Sequence, residues 1–136
     1  MAGGSSTFSY YCFLLLLLLS LQSCSQVNPA LPSQAVAKKS PGALIGVNEE
    51  VRVSFLAQLE PSTLFGNVYA LEGGQEVPVI VTLTDDAYTI VVRPFEEWSA
   101  GTDLEVHIVG GLNGVYFKRG RPIESVVVRY SVEEKS

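Results

Sequence analysis

Two alternating segments on either side of a turn place the strongest constraint on the fold of this chain. Apolar and polar residues alternate over residues 88–93 and again over 103–108, with a glycine-containing turn at 99–102 between them. Pro94 ends the first segment because it has no N–H to offer a neighbouring strand. A repeat of two predicts half-buried strands, so we expect an antiparallel pair whose apolar face is covered by a second layer. The residues expected on that face are Tyr88, Ile90, Val92, Leu104, Val106 and Ile108.

Further short alternating segments follow one another at roughly ten-residue spacing along the chain. They cover residues 35–40, 50–55, 66–72, 77–84 and 125–132. The apolar stripe of an amphipathic helix is absent from the sequence. We therefore predict an all-β fold, an immunoglobulin-like antiparallel β-sandwich of about seven strands. An eight-stranded barrel is the main alternative, for which the number of strands is slightly short.

Glycine, proline and acidic residues mark the expected turns between these strands. The glycine pair at 73–74 predicts a hairpin, and the acidic pair at 85–86 predicts the next turn. Pro78 indicates an edge position or a bulge, since it cannot donate to a strand ladder. Residues 60–64 predict a single helical turn or a loop, and residues 110–122 a long loop rich in glycine and proline.

The charge balance argues against one class of partner. Nine Lys and Arg residues stand against fourteen Asp and Glu residues, a net charge of −5. Nucleic-acid binding requires a clustered basic surface. The nearest approach to one, residues 118–121, is too short, and we interpret it as a solvated loop. We therefore expect no nucleic-acid partner.

An apolar leader opens the chain. Residues 13–21 read FLLLLLLSL, too short for a hydrocarbon core that needs roughly 20 apolar residues but suited to the h-region of a signal peptide. Leu21, Ser23 and Cys24 then occupy positions that resemble the lipobox of bacterial lipoproteins. The other cysteine, Cys12, lies within the leader and is expected to be removed with it. No cysteine follows Cys24, so the domain must be held together by burial alone.

The lipobox resemblance implies a lipoprotein signal peptide over residues 1–23 and a lipidated Cys24. Its thiol would carry a diacylglycerol and its freed amine a further acyl chain, with palmitate among the fatty acids, which anchors the protein in a membrane. Ser25 directly follows, and by resemblance to Gram-negative lipoproteins it is compatible with delivery to the outer membrane. The expected location is therefore the bacterial cell envelope.

Other interpretations of the leader remain open. Residues 1–11 contain no Lys or Arg, which a typical leader has. Simple secretion after cleavage behind Ser23 or Ser25 and an uncleaved interfacial anchor are therefore alternatives. Residues 24–34 are polar, contain two prolines and show no periodicity, so they predict a flexible tether to a domain at residues 35–136.

The order of several short motifs resembles the bacterial Ig-like domain of the S-layer-protein type. The motifs are Ser-Pro-Gly-Ala at 40–43, Val-Arg-Val-Ser-Phe at 51–55, Glu-Pro-Ser-Thr-Leu at 60–64, Val-Arg-Pro at 92–94 and Ala-Gly-Thr at 100–102. The resemblance covers residues 35–132, and the family's Tyr after Gly-Thr is replaced here by Leu104. It implies an Ig-like sandwich that serves as a spacer or adhesive module in exported proteins and carries no catalytic residues.

Aromatic residues are the best candidates for a binding site. Tyr116 and Phe117 lie in the long glycine-rich loop, where apolar side chains can form a contact tip or pack back on the core. Trp98 either caps the end of the sandwich or serves as an exposed anchor. His107, the only histidine, is expected on the outward face beside Glu105, without the partners of a metal site or a catalytic triad. We expect no metal, no cofactor and no enzymatic activity.

These observations favour a non-enzymatic, lipid-anchored module of the bacterial cell envelope that binds or spaces other envelope proteins or glycans. The main alternative is a purely structural secreted or envelope protein without a specific ligand. A third hypothesis is a small metal- or sugar-binding accessory to an enzyme.

Overall fold

Two β-sheets face each other in residues 34–134, the part of the chain that the computed structural model describes. They contain nine strands, β1 (Ala35–Ala37), β2 (Leu44–Ile45), β3 (Val51–Phe55), β4 (Val68–Glu72), β5 (Gln75–Val77), β6 (Val79–Leu83), β7 (Thr89–Pro94), β8 (Asp103–Ile108) and β9 (Val126–Val132). A 3₁₀ helix at Pro61–Thr63 lies between β3 and β4, which confirms the helical turn expected there. Within the described residues, no helix has the length and apolar character needed to span a membrane. The predictions for residues 1–33, including lipidation of Cys24, lie outside this part.

The strands form a four-stranded sheet in the order β1-β3-β7-β6 and a five-stranded sheet in the order β2-β9-β8-β4-β5. All neighbours are antiparallel except β2, which pairs in parallel with β9. The prediction of an all-β, mainly antiparallel sandwich is confirmed, and the strands lie in two separate sheets and not in a closed barrel. β1 is an edge strand of the four-stranded sheet.

The inward faces of both sheets meet in one apolar core. On β3, Val51, Val53 and Phe55 are buried and alternate with half-buried Arg52 and Ser54. The same alternation on β8 and β9 buries Leu104, Val106, Ile108, Val126, Val128, Tyr130 and Val132. Full burial of a large aliphatic or aromatic side chain contributes about 1.5–3 kcal/mol. Burial of these faces is therefore what holds the cysteine-free domain together.

The expected pairing of the two alternating segments is wrong, although both are strands. β7 pairs with β3 and β6, whereas β8 pairs with β4 and β9 in the other sheet. Residues 95–102 cross from one sheet to the other, and a hydrogen bond from the Trp98 N–H to the Val47 carbonyl (2.8 Å) holds this crossing. Alternation shows which face of a strand is buried, but it does not show which strand lies alongside.

Tyr88 is an exception among the residues expected on the apolar face of these strands. Its side chain is 39% exposed, whereas Ile90 and Val92 are buried. Tyr88 precedes the first residue of β7 and belongs to the turn, where its N–H donates to Asp86 Oδ1 at 3.1 Å. The turn at residues 85–86 is confirmed, and it places Tyr88 beyond the end of the core.

The single strand expected at residues 77–84 is two strands separated by Pro78. The hairpin at 73–74 is confirmed, with φ of 56° and 86° at its two glycines, and it pairs β5 with β4. β6 instead pairs with β7 in the opposite sheet. Pro78 has no N–H to extend the ladder with β4, and its carbonyl accepts the Phe95 N–H at 3.2 Å. The chain therefore changes sheets at this proline, and β5 and β6 are both edge strands.

Candidate functional site

The long loop between β8 and β9 closes the end of the sandwich at which the chain enters β1. We call this the tether end, and the opposite one the far end. The Val115 N–H donates to the Val109 carbonyl (2.8 Å), and the Ile123 N–H donates to the Val115 carbonyl (2.9 Å). A Cβ on Gly110 would overlap the Ile123 carbonyl, and one on Gly114 would overlap the Val109 carbonyl. Glycine is needed at both positions because two backbone segments approach closely there.

The structure places Tyr116 and Phe117 in this loop and packs them against the domain. Phe117 is buried, and its ring meets Phe55 edge-to-face with ring centroids 6.3 Å apart. Tyr116 is half-buried; its N–H donates to Thr63 Oγ1 (3.0 Å) and its hydroxyl to the Leu112 carbonyl (2.9 Å). Of the two alternatives for the loop, packing back on the core is the one observed for the Phe117 ring, because burial removes its large apolar surface from water. A binding role for the two residues stays a prediction.

Trp98 lies in the core at the far end of the sandwich. Its side chain is buried, and its indole N–H donates to the Glu49 carbonyl at 2.7 Å. This is the capping position and not that of an exposed anchor. β3 starts close to Glu49 and ends at Phe55 near the tether end, a length of about 16 Å for its five residues. Trp98 therefore does not share a site with Tyr116 and Phe117, and its binding role is untested.

A tight turn at the tether end, residues 117–121, presents three cations; we call it the basic turn. The Phe117 N–H donates to the Arg121 carbonyl (2.7 Å), and the Gly120 N–H donates to the Phe117 carbonyl (2.9 Å). Gly120 has a φ of 93°, a left-handed value that favours glycine. The Lys118 N–H donates to the Gln58 carbonyl (2.8 Å), which ties the turn to the segment after β3. The backbone of the turn is therefore held by hydrogen bonds within the turn and by one hydrogen bond to the segment after β3.

The cationic side chains of the basic turn point into solvent. Lys118, Arg119 and Arg121 are exposed, and none belongs to an ion pair found among residues 34–134. A groove of about 420 Å³ lies beside the turn, lined by Gln34, Leu56, Phe117, Arg119, Arg121 and Pro122. Leu56 is 73% exposed. The sequence alone does not reveal this groove, because its walls come from three separate segments of the chain.

A second feature is a side-chain network on the outer face of the five-stranded sheet. His107 lies on this face beside Glu105, as predicted, with His107 Nε2 3.0 Å from Glu105 Oε1. Arg129 Nε donates to Glu105 Oε2 at 2.9 Å, and Tyr69 stacks on the His107 ring with centroids 4.8 Å apart. The hydrogen bonds from Arg129 and then His107 lower the pKa of the Glu105 carboxyl. Strand register brings Tyr69 and Arg129 here, so sequence periodicity did not identify them.

A third feature is a groove along the side of the sandwich where the edge strands β5 and β6 meet. It has a volume of about 550 Å³ and is lined by Phe65, Val68, Glu76, Val77, Val79 and Val81. Phe65 is 95% exposed, the most exposed large apolar side chain among the described residues. An exposed aromatic ring beside a groove is a candidate contact point, because aromatic side chains are enriched among the residues that anchor interfaces. The sequence reasoning did not single out Phe65.

Comparison with known proteins gives a fold but no family. No protein-family model and no curated protein sequence matches the chain. Among solved structures, surface layer protein SbsC matches with a TM-score of 0.53 at 14% identity, over 73% of this chain and 14% of that chain. The match therefore spans about one seventh of that solved chain, which comprises domains 1-6 of the S-layer protein.

Two further solved proteins share the fold over most of their own length. CopC from Methylosinus trichosporium OB3b matches with a TM-score of 0.56 at 14% identity, over 74% of this chain and 92% of that one. PcoC, a methionine-rich copper resistance protein from Escherichia coli, matches with a TM-score of 0.57 at 16% identity, over 79% of this chain and 100% of that one. At such low identity the likeness concerns the fold, an Ig-type sandwich similar to that of S-layer domains.

The burial of Phe117 generates a stability prediction. Phe117→Ala removes a ring from the core and leaves a cavity, so the free energy of unfolding is expected to fall by about 3–5 kcal/mol. Leu112→Ala is the control, because Leu112 is 82% exposed in the same loop and its truncation should change stability by less than about 0.5 kcal/mol. Urea denaturation of both variants measures the difference. Equal stability of the two variants would show that Phe117 is not a core residue.

The Glu105 network generates a pH prediction. In the folded protein the pKa of the Glu105 carboxyl lies below its ordinary value of 4.5. The charged carboxylate therefore stabilises the fold at pH values above 4.5, and this contribution is lost as the pH falls through the lowered pKa. Glu105→Gln is expected to lower the free energy of unfolding at neutral pH by less than about 1 kcal/mol, with a smaller effect in acid. Glu76→Gln, on an exposed edge strand, is the control. Denaturation at several pH values measures both, and a pH-independent loss in Glu105→Gln would contradict the role of the carboxylate.

Proposed function

We propose that this chain is a non-enzymatic module of the bacterial cell envelope, anchored in a membrane by acyl chains on Cys24. The lipobox-like leader supports the anchor, and the likeness to domains of an S-layer protein supports a role as spacer or contact domain. The outer membrane is the proposed location because Ser25 follows the acylated residue. A purely structural secreted or envelope protein without a ligand is the alternative.

The observation that best supports this proposal is the position of Gln34, which joins a domain that has its own core. The core lies within residues 35–132. The Gln34 carbonyl accepts the Leu56 N–H at 3.1 Å, so the chain is secured at the point where the proposed tether begins. A domain with a complete core can be carried on a flexible tether without loss of stability. This is the arrangement that a lipid-anchored module requires.

Copper binding is not part of the proposal. PcoC is described as a methionine-rich copper resistance protein, whereas Met1 is the only methionine of this chain. Residues 34–134 also contain no group of three or more His, Cys, Asp or Glu placed to hold a metal ion. The shared feature that we use is the sandwich itself.

The proposed anchor predicts the behaviour of a cysteine variant. Cys24→Ser removes the thiol that would carry the diacylglycerol, so the acyl mass on the mature N-terminal peptide should disappear. The protein should also move from the detergent phase to the aqueous phase, because each buried CH₂ of the lost chains contributes about 0.8 kcal/mol. Mass spectrometry and detergent phase separation measure both effects, with Cys12→Ser as the control. A wild-type protein that remains in the membrane with an unmodified mass would contradict lipidation.

Contact with another envelope protein or a glycan is the finer part of the proposal. The groove between the edges of β5 and β6 supports it, since the Phe65 ring stands in water beside three half-buried valines on those strands and Pro78 between them. An exposed aromatic side chain is the type of residue that anchors interfaces.

The contact role predicts the loss of one crosslinked species. Phe65→Ser should abolish a crosslinked complex formed in intact cells, while leaving the unfolding free energy nearly unchanged, because the ring is outside the core. Phe95→Ser is the control, since Phe95 is also largely exposed, at 65%, but lies at the far end. Crosslinking followed by mass spectrometry identifies the complex. Unchanged crosslinks in Phe65→Ser would favour the purely structural alternative.

A further inference from the structure

The basic turn lies next to Gln34, the residue at which the chain enters the domain. The groove that Arg119 and Arg121 line is also lined by Gln34, the first described residue of the chain. The Gln34 side chain is held there, because its Oε1 accepts the Glu124 N–H at 3.1 Å. Whatever precedes Gln34 therefore leaves the domain next to the cations. If the protein is anchored through Cys24, these cations lie at the end of the domain that is nearest to its attachment.

The length of the tether keeps the basic turn close to the membrane. Ten residue steps separate Cys24 from Gln34, which allows at most about 35 Å when fully extended and an r.m.s. distance of roughly 17 Å for a flexible chain. Surface charges act over a Debye length of about 8–10 Å at physiological salt. Short excursions of the domain therefore bring the turn within range of the lipid headgroups.

The rest of the charge distribution favours the same orientation. Exposed carboxylates are concentrated at the far end, namely Glu96, Glu97, Asp103, Glu133 and Glu134. The tether end has fewer exposed carboxylates, namely Asp85, Asp86 and Glu124. Thr84 and the Tyr88 N–H hold the Asp86 side chain, and the Glu124 N–H donates to Gln34 Oε1. An anionic surface would repel the far end and attract the basic turn. The domain would thus orient with its tether end toward the anionic surface.

We propose that the basic turn binds the phosphate headgroups of anionic lipids and docks the domain, tether end first, on the membrane that holds its acyl chains. This inference rests on the proposed anchor at Cys24 and adds a second point of attachment. Guanidinium groups pair with phosphate oxygens through two parallel hydrogen bonds, which suits Arg119 and Arg121. Leu56, 73% exposed, and Leu112, 82% exposed, provide apolar contacts at the same end.

The experiment measures the distance of each end of the domain from the lipid surface. A fluorophore on Leu112→Cys reports the tether end, and one on Phe95→Cys reports the far end. In the mature acylated protein the introduced thiol is the only free one, since Cys12 leaves with the leader and Cys24 is alkylated. The protein is reconstituted into phosphatidylcholine vesicles, with or without phosphatidylglycerol, that contain a headgroup quencher. We expect quenching at residue 112 only when phosphatidylglycerol is present, and little at residue 95.

A charge-matched pair of variants tests the residues. Arg119→Gln with Arg121→Gln should reduce the ratio of docked to undocked protein about 25-fold, since each cation near an anionic surface contributes roughly fivefold. Lys38→Gln with Arg93→Gln changes the net charge equally away from the basic turn and should leave docking in place. Salt at about 1 M, where the Debye length is about 3 Å, should abolish docking.

The outcomes separate the two proposals. Protein that is absent from the vesicle fraction refutes the anchor at Cys24 and the docking that rests on it. Protein that is retained but shows no quenching at residue 112, or equal quenching in neutral vesicles, refutes docking and leaves the anchor intact. Equal effects of the two charge variants also overturn the assignment to Arg119 and Arg121.

Discussion

The contact between two apolar sheet faces is the constraint on which the rest of this structure depends. Residues 34–134 contain no cysteine, so no disulfide supports the domain. Its cohesion comes from side chains such as Val53, Val106 and Val128, which are removed from water where the sheets meet. The strands therefore turn most of their large apolar side chains inward, and polar residues lie mainly on the outer faces, at the edges and at the two ends.

That constraint explains why sequence patterns predicted the buried faces well. A strand has only two faces, so alternation identifies the inward residues of β3, β8 and β9 without knowledge of their neighbours. It failed at Tyr88 because alternation continues past the residue where the strand, and the core beneath it, begins. A pattern of period two shows to which face of a strand the side chains point, but it does not show where the second sheet ends.

Pairing is less accessible to sequence because it depends on contacts that are remote along the chain. The segments that become β7 and β8 look like a hairpin, yet residues 95–102 carry the chain across the core. Pro78 is similar: its missing N–H was a correct sign of interrupted pairing, but whether the chain bulges or changes sheets depends on the position of β7. The two-residue β2, parallel to β9, is too short to produce a pattern at all.

The same distinction applies to the candidate sites. Aromatic residues in a glycine-rich loop allowed either a contact tip or packing back on the core, and the core beneath the loop accepts Phe117 and leaves Leu112 outside. Tyr69 and Arg129 meet the His107–Glu105 pair through strand register, and Arg119 meets Leu56 and Gln34 through the closure of the tether end. In each case the chemistry arises where separate segments converge.

The position at which the chain enters the domain links the fold to its proposed role. A sandwich exposes two ends, two outer faces and its edges, and a tether at one end makes these surfaces inequivalent. With the proposed anchor at Cys24, the tether end would be held near the membrane, while the side groove at Phe65 and the outer network at Glu105 would stay accessible. A basic turn at the tether end and carboxylates at the far end would give the domain a preferred orientation relative to an anionic membrane. A single small domain then presents a defined side to its surroundings, because charge and attachment act on the same end.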